Sequence, residues 1–179
     1  IFSVVFMASL IGFSYAEDLK IDGSTTVLPI AQKAAEVFMK KNPNIKVFVS
    51  GSGSGNGIKA LIDGTTQIAT SSREAKDKEV ASAKEKKVNL VGHTVALDGI
   101  VPVVHPSVKI NDITVEQLRD IFNGKIKSWK ELGGPNRPIS VVSRDTSSGT
   151  YEVWEERVLK GDRVRADALL VASSGQTIQ

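Results

Sequence analysis

Apolar positions along this chain fall into a repeated phrase: a short β-branched run, a turn rich in hydroxyls and glycine, then a stretch with helical spacing. The first phrase is a strand at 19–21, the turn Asp22-Gly23-Ser24-Thr25-Thr26, and a helix. In that helix Val27, Leu28, Ile30, Ala31, Ala34, Ala35, Val37 and Phe38 recur at helical intervals. Pro29 sits in the first turn, where its missing N–H costs little, and Asn42-Pro43-Asn44 ends the run. The second phrase is a strand at 45–49, the segment Gly51-Ser52-Gly53-Ser54-Gly55-Asn56-Gly57, and a helix through Ile58, Leu61 and Ile62. The third is a strand at 67–70, the turn Ser71-Ser72-Arg73, and a charged helix over 77–87. Such alternation predicts an α/β sheet whose ligands collect beyond the carboxyl ends of the strands.

The phrase breaks after 88–91. The apolar stretch 95–104, interrupted by Gly99 and Pro102, predicts an extended segment crossing between two lobes. Thr114-Val115-Glu116-Gln117 is a capping-box signature that opens a helix with Leu118, Ile121 and Phe122 on one face and Gly124 as its stop. A turn-rich segment around Trp129 and Gly133-Gly134-Pro135 follows, then a strand at 139–142. Helices are predicted over 149–159 and 163–172.

Composition changes this picture little. The chain has 179 residues, 41% of them hydrophobic, with 23 basic against 20 acidic side chains. That is enough to bury a core in one domain or two small ones. Most lysines lie in mixed-sign runs such as Lys76-Asp77-Lys78-Glu79 with no aromatics interleaved, the pattern of solvated helix faces and not of a nucleic-acid surface. There is no cysteine, hence no disulfide framework and no thiolate chemistry. Residues 1–16 are uncharged and apolar and end in Ser14-Tyr15-Ala16, which fits a signal-peptidase site; a buried N-terminal strand or helix is the alternative. Without an initiator methionine or a leading basic segment, the signal is expected to be truncated. The product is expected to be exported and soluble.

Candidate chemistry is concentrated in the turns. Ser143-Arg144-Asp145-Thr146-Ser147-Ser148-Gly149-Thr150 places a permanent cation ahead of hydroxyls and a glycine at a strand-to-helix turn. Arg144 offers a planar fork of donors, and the first amides of a helix have no internal partners. Each such turn is equally a plain helix cap; recurrence of the design in the three earlier turns points to an anion site. The alternating glycines of 51–57 fit neither the dinucleotide fingerprint nor the P-loop. They read as a flexible linker or as a loop whose amides closely approach an anion. No serine has the glycine spacing of a nucleophile elbow. His93 and His105 lack the spacing of a metal pair and sit in settings where a structural role is expected.

Five ordered blocks carry a resemblance. Gly23-Ser24-Thr25-Thr26-Val27 with Pro29, Gly51-Ser52-Gly53-Ser54-Gly55 with Gly57-Ile58, and Ala69-Thr70-Ser71-Ser72-Arg73 are the first three. Ile121-Phe122-Asn123-Gly124-Lys125-Ile126 with Trp129, and Arg144 with Ser148-Gly149-Thr150, complete the set. Together they resemble the phosphate-binding proteins of bacterial phosphate-specific ABC transporters across the chain after its first segment. The resemblance implies an α/β, periplasmic-binding-protein-like two-lobed fold, truncated before the chain returns to the first lobe. Residues 17–97 would form the first part of lobe 1, and 98–179 the hinge crossing and an incomplete lobe 2.

From the same resemblance, phosphate contacts are expected at Thr25, Thr26, Ser54, Ser72, Arg144, Ser148, Gly149 and Thr150. Many family members carry an aspartate where this chain has Ser72, accepting the proton of hydrogen phosphate and repelling sulfate, so that discrimination is in question here. The expected function is a periplasmic receptor that captures inorganic phosphate and delivers it to a membrane permease. No catalytic residue, metal, cofactor or nucleic-acid partner is expected, and the protein should be a monomer. The alternatives are a receptor for another tetrahedral oxyanion such as sulfate or molybdate, and a secreted phosphatase.

Overall fold

The computed structural model describes residues 18–179; the expected signal segment, 1–16, lies outside the described residues. Two parallel sheets organise the chain. The first has three strands, β1 (Leu19–Gly23), β2 (Val47–Val49) and β3 (Ile68–Thr70), in the order β2-β1-β3. The second pairs β4 (Val142–Arg144) with β5 (Leu169–Val171). In the first sheet the chain moves to one side of β1 and then crosses back to the other. This reversal makes the carboxyl ends of β1 and β3 a topological switch point, the crevice where α/β sheets hold ligands.

Between strands run α1 (Leu28–Lys41) and α2 (Ser54–Ile62), followed by α3 (Asp77–Glu85). Pro29 occupies the first turn of α1 and Asn42 closes it, its amide donating to the Phe38 carbonyl at 2.9 Å. The helix after the glycine-rich turn begins inside that turn, at Ser54, and its Gly57 passes closely over the end of β1. A Cβ on Gly57 would stand 2.4 Å from the Gly23 Cα. Ile58 and Ile62 of α2 pack with Ala83 of α3 and the flanking Ala75, Val88 and Leu90 into the core of this half.

Residues 88–113, which include the stretch 95–104, carry no helix or strand. Beyond them, α4 (Val115–Phe122) opens as its capping box predicts. The Gln117 amide donates to Thr114 Oγ1 at 3.1 Å, and the Thr114 amide donates to Gln117 Oε1 at 2.9 Å. A 3₁₀ turn, Trp129–Leu132, leads towards β4. Next comes α5 (Gly149–Trp154), continued by a π-helical turn, Glu155–Leu159. Trp154 packs on Phe122 in a tilted arrangement, ring centroids 4.8 Å apart and planes at 49°, tying α5 to α4. Ile121, Ile139 and Val141 form a second, separate core.

Two expectations are corrected in this half. The strand expected at 139–142 is displaced to Val142–Arg144, although Ile139 and Val141 are buried as core residues. The helix expected over 163–172 does not form: 169–171 is strand β5, and the short helix α6 (Ser174–Ile178) follows it. Tertiary pairing decides this. The Arg165 amide donates to the Phe122 carbonyl at 2.7 Å, and the Leu169 amide to the Val141 carbonyl at 2.9 Å, so the segment is drawn out along β4. A four-residue apolar run such as Leu169-Leu170-Val171-Ala172 is compatible with either structure by pattern alone. Among the described residues no helix is long and apolar enough to cross a membrane.

Candidate anion site at the seam between the two halves

The site is built from five turns, each at the carboxyl end of a strand. After β1, Ser24 is buried and its Oγ accepts from the Thr26 amide at 3.2 Å and the Val27 amide at 3.4 Å. The Ser24 amide donates to the Thr70 carbonyl at the end of β3, locking the two turns together at 2.8 Å. After β2, the Asp22 carboxylate gathers the glycine-rich turn, accepting from Ser50 Oγ, the Ser52 amide and Ser52 Oγ at 2.8, 3.2 and 2.7 Å. After β3, Ser71 Oγ accepts from the Arg73 amide at 3.2 Å, curling the Ser71-Ser72-Arg73 turn.

The second half meets these turns directly. The Gly55 amide donates to the Ser147 carbonyl at 3.1 Å, and Ser147 Oγ reaches the Ser52 carbonyl at 3.4 Å. Gly53, at φ +104°, adopts a conformation that L side chains rarely take, and a Cβ there would also strike Ser147. Of the alternating glycines, Gly53 and Gly55 serve close approach of the two halves, while Gly51 and Gly57 pack within the first half. Asp145 turns one carboxylate oxygen back onto its own turn. Its Oδ1 accepts the Ser147 amide at 2.8 Å and the Ser147 hydroxyl.

Two polar groups bridge the seam. In the first, Ser54 Oγ and Ser72 Oγ lie 3.2 Å apart, the Ser72 amide donates to Ser54 Oγ at 3.1 Å, and Gly149 covers both. A Cβ on Gly149 would stand 2.5 Å from Ser72 Oγ and 2.6 Å from Ser54 Oγ. In the second, Arg144 Nη2 donates to Thr25 Oγ1 at 3.0 Å and Nη1 to Ser174 Oγ at 3.0 Å. Ser174 Oγ is also 3.4 Å from the hydroxyls of Thr25 and Thr26. The fork of Arg144 is oriented from behind by the carbonyls of Val171 and Ala172, which accept from Nε and Nη2 at 3.2 and 2.9 Å.

Arg144 is 5% exposed. Burial lowers the pKa of its guanidinium, an effect the neighbouring Asp145 carboxylate opposes. An arginine remains charged through such a shift, so the seam holds a fixed positive charge with little water around it. A buried cation among hydroxyl oxygens and helix-start amides attracts a small anion, because charge-assisted hydrogen bonds are about twice as strong as the neutral bonds they replace.

The structure thus brings Thr25, Thr26, Arg144, Ser54, Ser72 and Gly149 to one seam. Ser148 is buried beside them, with its Oγ accepting from the Tyr151 amide at 3.4 Å as an ordinary helix cap. Thr150, half-buried on the first turn of α5, is placed there by chain adjacency alone. His93 and His105 are exposed in the 88–113 segment, and no cluster of three metal-binding side chains occurs among the described residues. Two shallow concavities lie elsewhere, one beside Phe48 and Thr66, the other beside Gln32 and Met39.

Sequence reasoning missed Ser24 and Ser174. The signal for Ser174 was present: Ser173-Ser174-Gly175 after β5 repeats Ser147-Ser148-Gly149 after β4. The wrongly expected helix over 163–172 concealed it by denying the preceding strand. Also missed was the pairing of Arg73 with Glu152 across the seam.

Comparison with known proteins agrees with this architecture. The family described as a PBP superfamily domain matches residues 14–175. The phosphate-binding protein PstS of Bacillus subtilis is 41% identical over 143 residues, covering 80% of this chain and 46% of that protein. PstS of Borreliella burgdorferi is 34% identical over 168 residues, covering 90% of this chain and 58% of that protein. The chain spans about half the length of the curated relatives it matches. Among solved structures, a phosphate ABC transporter substrate-binding protein from Clostridium perfringens, with bound phosphate, superposes with a TM-score of 0.79 at 36% identity. That match covers 89% of this chain and 63% of the other. An ABC-type phosphate transport receptor from Vibrio cholerae gives a TM-score of 0.67 at 33% identity, covering 88% and 64%.

Proposed function

Because this chain belongs to the PBP superfamily, we propose that the intact protein captures inorganic phosphate at the seam between its two halves and hands it to an ABC transporter permease. The observation that carries this reading is that two polar groups bridge the seam from turns of both sheets, Ser54 and Ser72 beneath Gly149 in one and Thr25 with the buried Arg144 in the other. The names of the relatives, phosphate-binding proteins and phosphate transport receptors, support the choice of anion. In this reading residues 1–16 are an export signal, residues 17–97 and 98–179 belong to two lobes, and the product is a monomeric extracytoplasmic receptor. It has no catalytic step and no nucleic-acid partner. Thr26, Ser148 and Thr150 complete the donor set.

The chemistry follows from desolvation. A phosphate dianion loses its hydration on entering the seam, a cost that only many simultaneous donors offset. The hydroxyl-to-hydroxyl bonds between Ser54 and Ser72, and between Thr25 and Ser174, would be exchanged for bonds to anionic oxygens. Hydroxyls also rotate to accept, so one cage holds both monobasic and dibasic phosphate. Since the donors come from both halves, the ligand binds the closed arrangement better than the open one and shifts the population towards it. Closure then presents one composite surface to a permease.

A second reading is favoured by one observation. Among the described residues no carboxylate makes a hydrogen bond to Ser54 or Ser72, and Asp145 Oδ1 is turned to Ser147. Rejection of a fully deprotonated oxyanion therefore rests on hydroxyl geometry, and sulfate is the natural competitor. Isothermal titration of the intact protein with phosphate, then with phosphate in excess sulfate, tests both. Phosphate binding that survives sulfate is the expected result. Absence of phosphate heat refutes the proposal, and equal displacement by sulfate moves the protein to a broader oxyanion receptor.

A further inference from the structure

Arg73, Lys76, Glu79 and Glu152 form a charged cluster that the anion site does not use. Arg73 follows Ser72 directly, and its guanidinium makes a two-point bond to Glu79 of α3, 2.8 Å at each contact. Its Nε pairs with Glu152 of α5, across the seam. Lys76 Nζ lies 3.1 Å from the other oxygen of Glu152. The side chains of Arg73 and Glu152 are only 7% and 15% exposed. This is a shielded network, unlike the solvent-exposed pairs that contribute little. Burial works against the charge on Glu79, but the Arg73 guanidinium and the Lys76 amide outweigh it and hold its carboxyl below the usual range.

The placement of Glu152 gives the cluster its meaning. It stands one helical turn beyond Ser148 and Gly149 on α5, on the side that faces the first half. Gly55, whose position would bring a Cβ to 3.6 Å from Arg73 Nη2 and 3.9 Å from Glu152 Oε1, leaves the room for them to meet. We propose that Glu152 is a positioning residue for anion capture: through Arg73 and Lys76 it latches the start of α5 onto the first sheet's turns and slows escape of the anion.

The latch is reversible because its two sides are unequal. When the halves part, Arg73 keeps its two-point bond to Glu79 and is never left as an unpaired buried cation. Glu152, on the helix that moves away, passes into water. Opening thus forfeits the contacts to Glu152 without stranding a charge, whereas removing Glu79 would strand one. Such pairs act mainly on dissociation, since they form after encounter is complete.

The inference rests on the phosphate reading for its kinetic readout but has a second readout that does not. In the intact protein, stopped-flow measurement with inorganic phosphate is expected to show roughly ten-fold faster dissociation for Glu152→Gln, with association unchanged. In parallel, spin or fluorescent labels at Lys78→Cys and Lys130→Cys report the distance between the halves without ligand; the chain has no cysteine of its own to interfere. Glu152→Gln is expected to add a longer-distance population. Should that variant fail to fold, Lys76→Ala, at a partly exposed position, decides instead with a smaller change in the same direction. Unchanged dissociation and unchanged distances in a folded variant overturn the latch, and a lowered melting temperature alone assigns Glu152 to stability and overturns it equally. Failure of the unsubstituted protein to bind phosphate removes the function reading, while the label distances still judge the latch.

Discussion

The turns along the seam and the irregular segment 88–113 invert each other. Both lack regular structure over much of their length, yet the seam buries charge and hydroxyls while the 88–113 segment exposes aliphatic side chains. Arg144 is 5% exposed, whereas Leu97 is 95% exposed and Val103 81%. Hydrophobicity alone would sort these residues the other way, which is why a buried polar group or an exposed apolar patch is more informative than the reverse. In the seam, the burial of Arg144 is sustained because its guanidinium has acceptors on every side: it reaches Thr25, Ser174, Val171 and Ala172. In the 88–113 segment, nothing among the described residues covers Leu97 or Val103. The contrast teaches that polarity in this chain is spent on a shared interior surface, and that the seam is held by partners far apart in sequence.

Substitutions can break this contrast from either side. The largest effect is expected from Arg144→Ala in the intact protein. Loss of a charge-assisted contact in a closed site costs roughly 1.5–3 kcal/mol, so phosphate titration should show affinity falling by more than about ten-fold. An unchanged dissociation constant would remove Arg144 from the site. Next is Gly149→Ala, whose new methyl meets the Ser54 and Ser72 hydroxyls at sub-contact distance. Overpacking of this kind costs about 1–3 kcal/mol. Affinity should fall while the melting temperature, measured by calorimetry, falls less. The capping box offers an intermediate step outside the seam: Thr114→Ala should lower unfolding free energy by about 1 kcal/mol without touching phosphate affinity.

On the other side of the contrast, Leu97→Gln should change stability by no more than about 0.5 kcal/mol in denaturant unfolding, as for exposed positions generally. A larger loss would show that Leu97 is covered in the intact protein. The smallest effect concerns Asp63, held at a pKa of about 2 by hydrogen bonds from Lys59 and Lys86, below its ordinary 3.8. A depressed carboxylate pKa contributes stability that is complete above pH 3.8 and lost as pH falls through about 2. Asp63→Asn should therefore lower the melting temperature slightly at pH 7 and low salt, and the difference should vanish near pH 2.

The comparison also marks what was legible in the residues. Strand β1, helix α1 with Pro29 in its first turn, and the Thr114 cap depend on neighbours within a few positions, and local pattern reveals them. Arg144 and Gly149 were legible as site candidates from a cation set ahead of hydroxyls and a glycine at a strand-to-helix junction, whereas Ser54 and Ser72 follow only from the family resemblance. Strand β5 was not legible. Its short apolar run fits helix or strand, and only hydrogen bonds to β4 decide between them. Ser174 and Glu152 were hidden for the same reason: Ser174 meets Thr25 across 149 positions, and Glu152 meets Arg73 across a seam that local spacing cannot express.

The most direct test is to locate the anion itself. Crystals of the intact protein soaked with arsenate, a heavier tetrahedral analogue of phosphate, would give an anomalous peak at the bound site. The account predicts one dominant peak at the seam, within hydrogen-bonding distance of Arg144 and of hydroxyls from both halves, Ser54 or Ser72 among them. A dominant peak elsewhere, or arsenate held by residues of one half only, would contradict it.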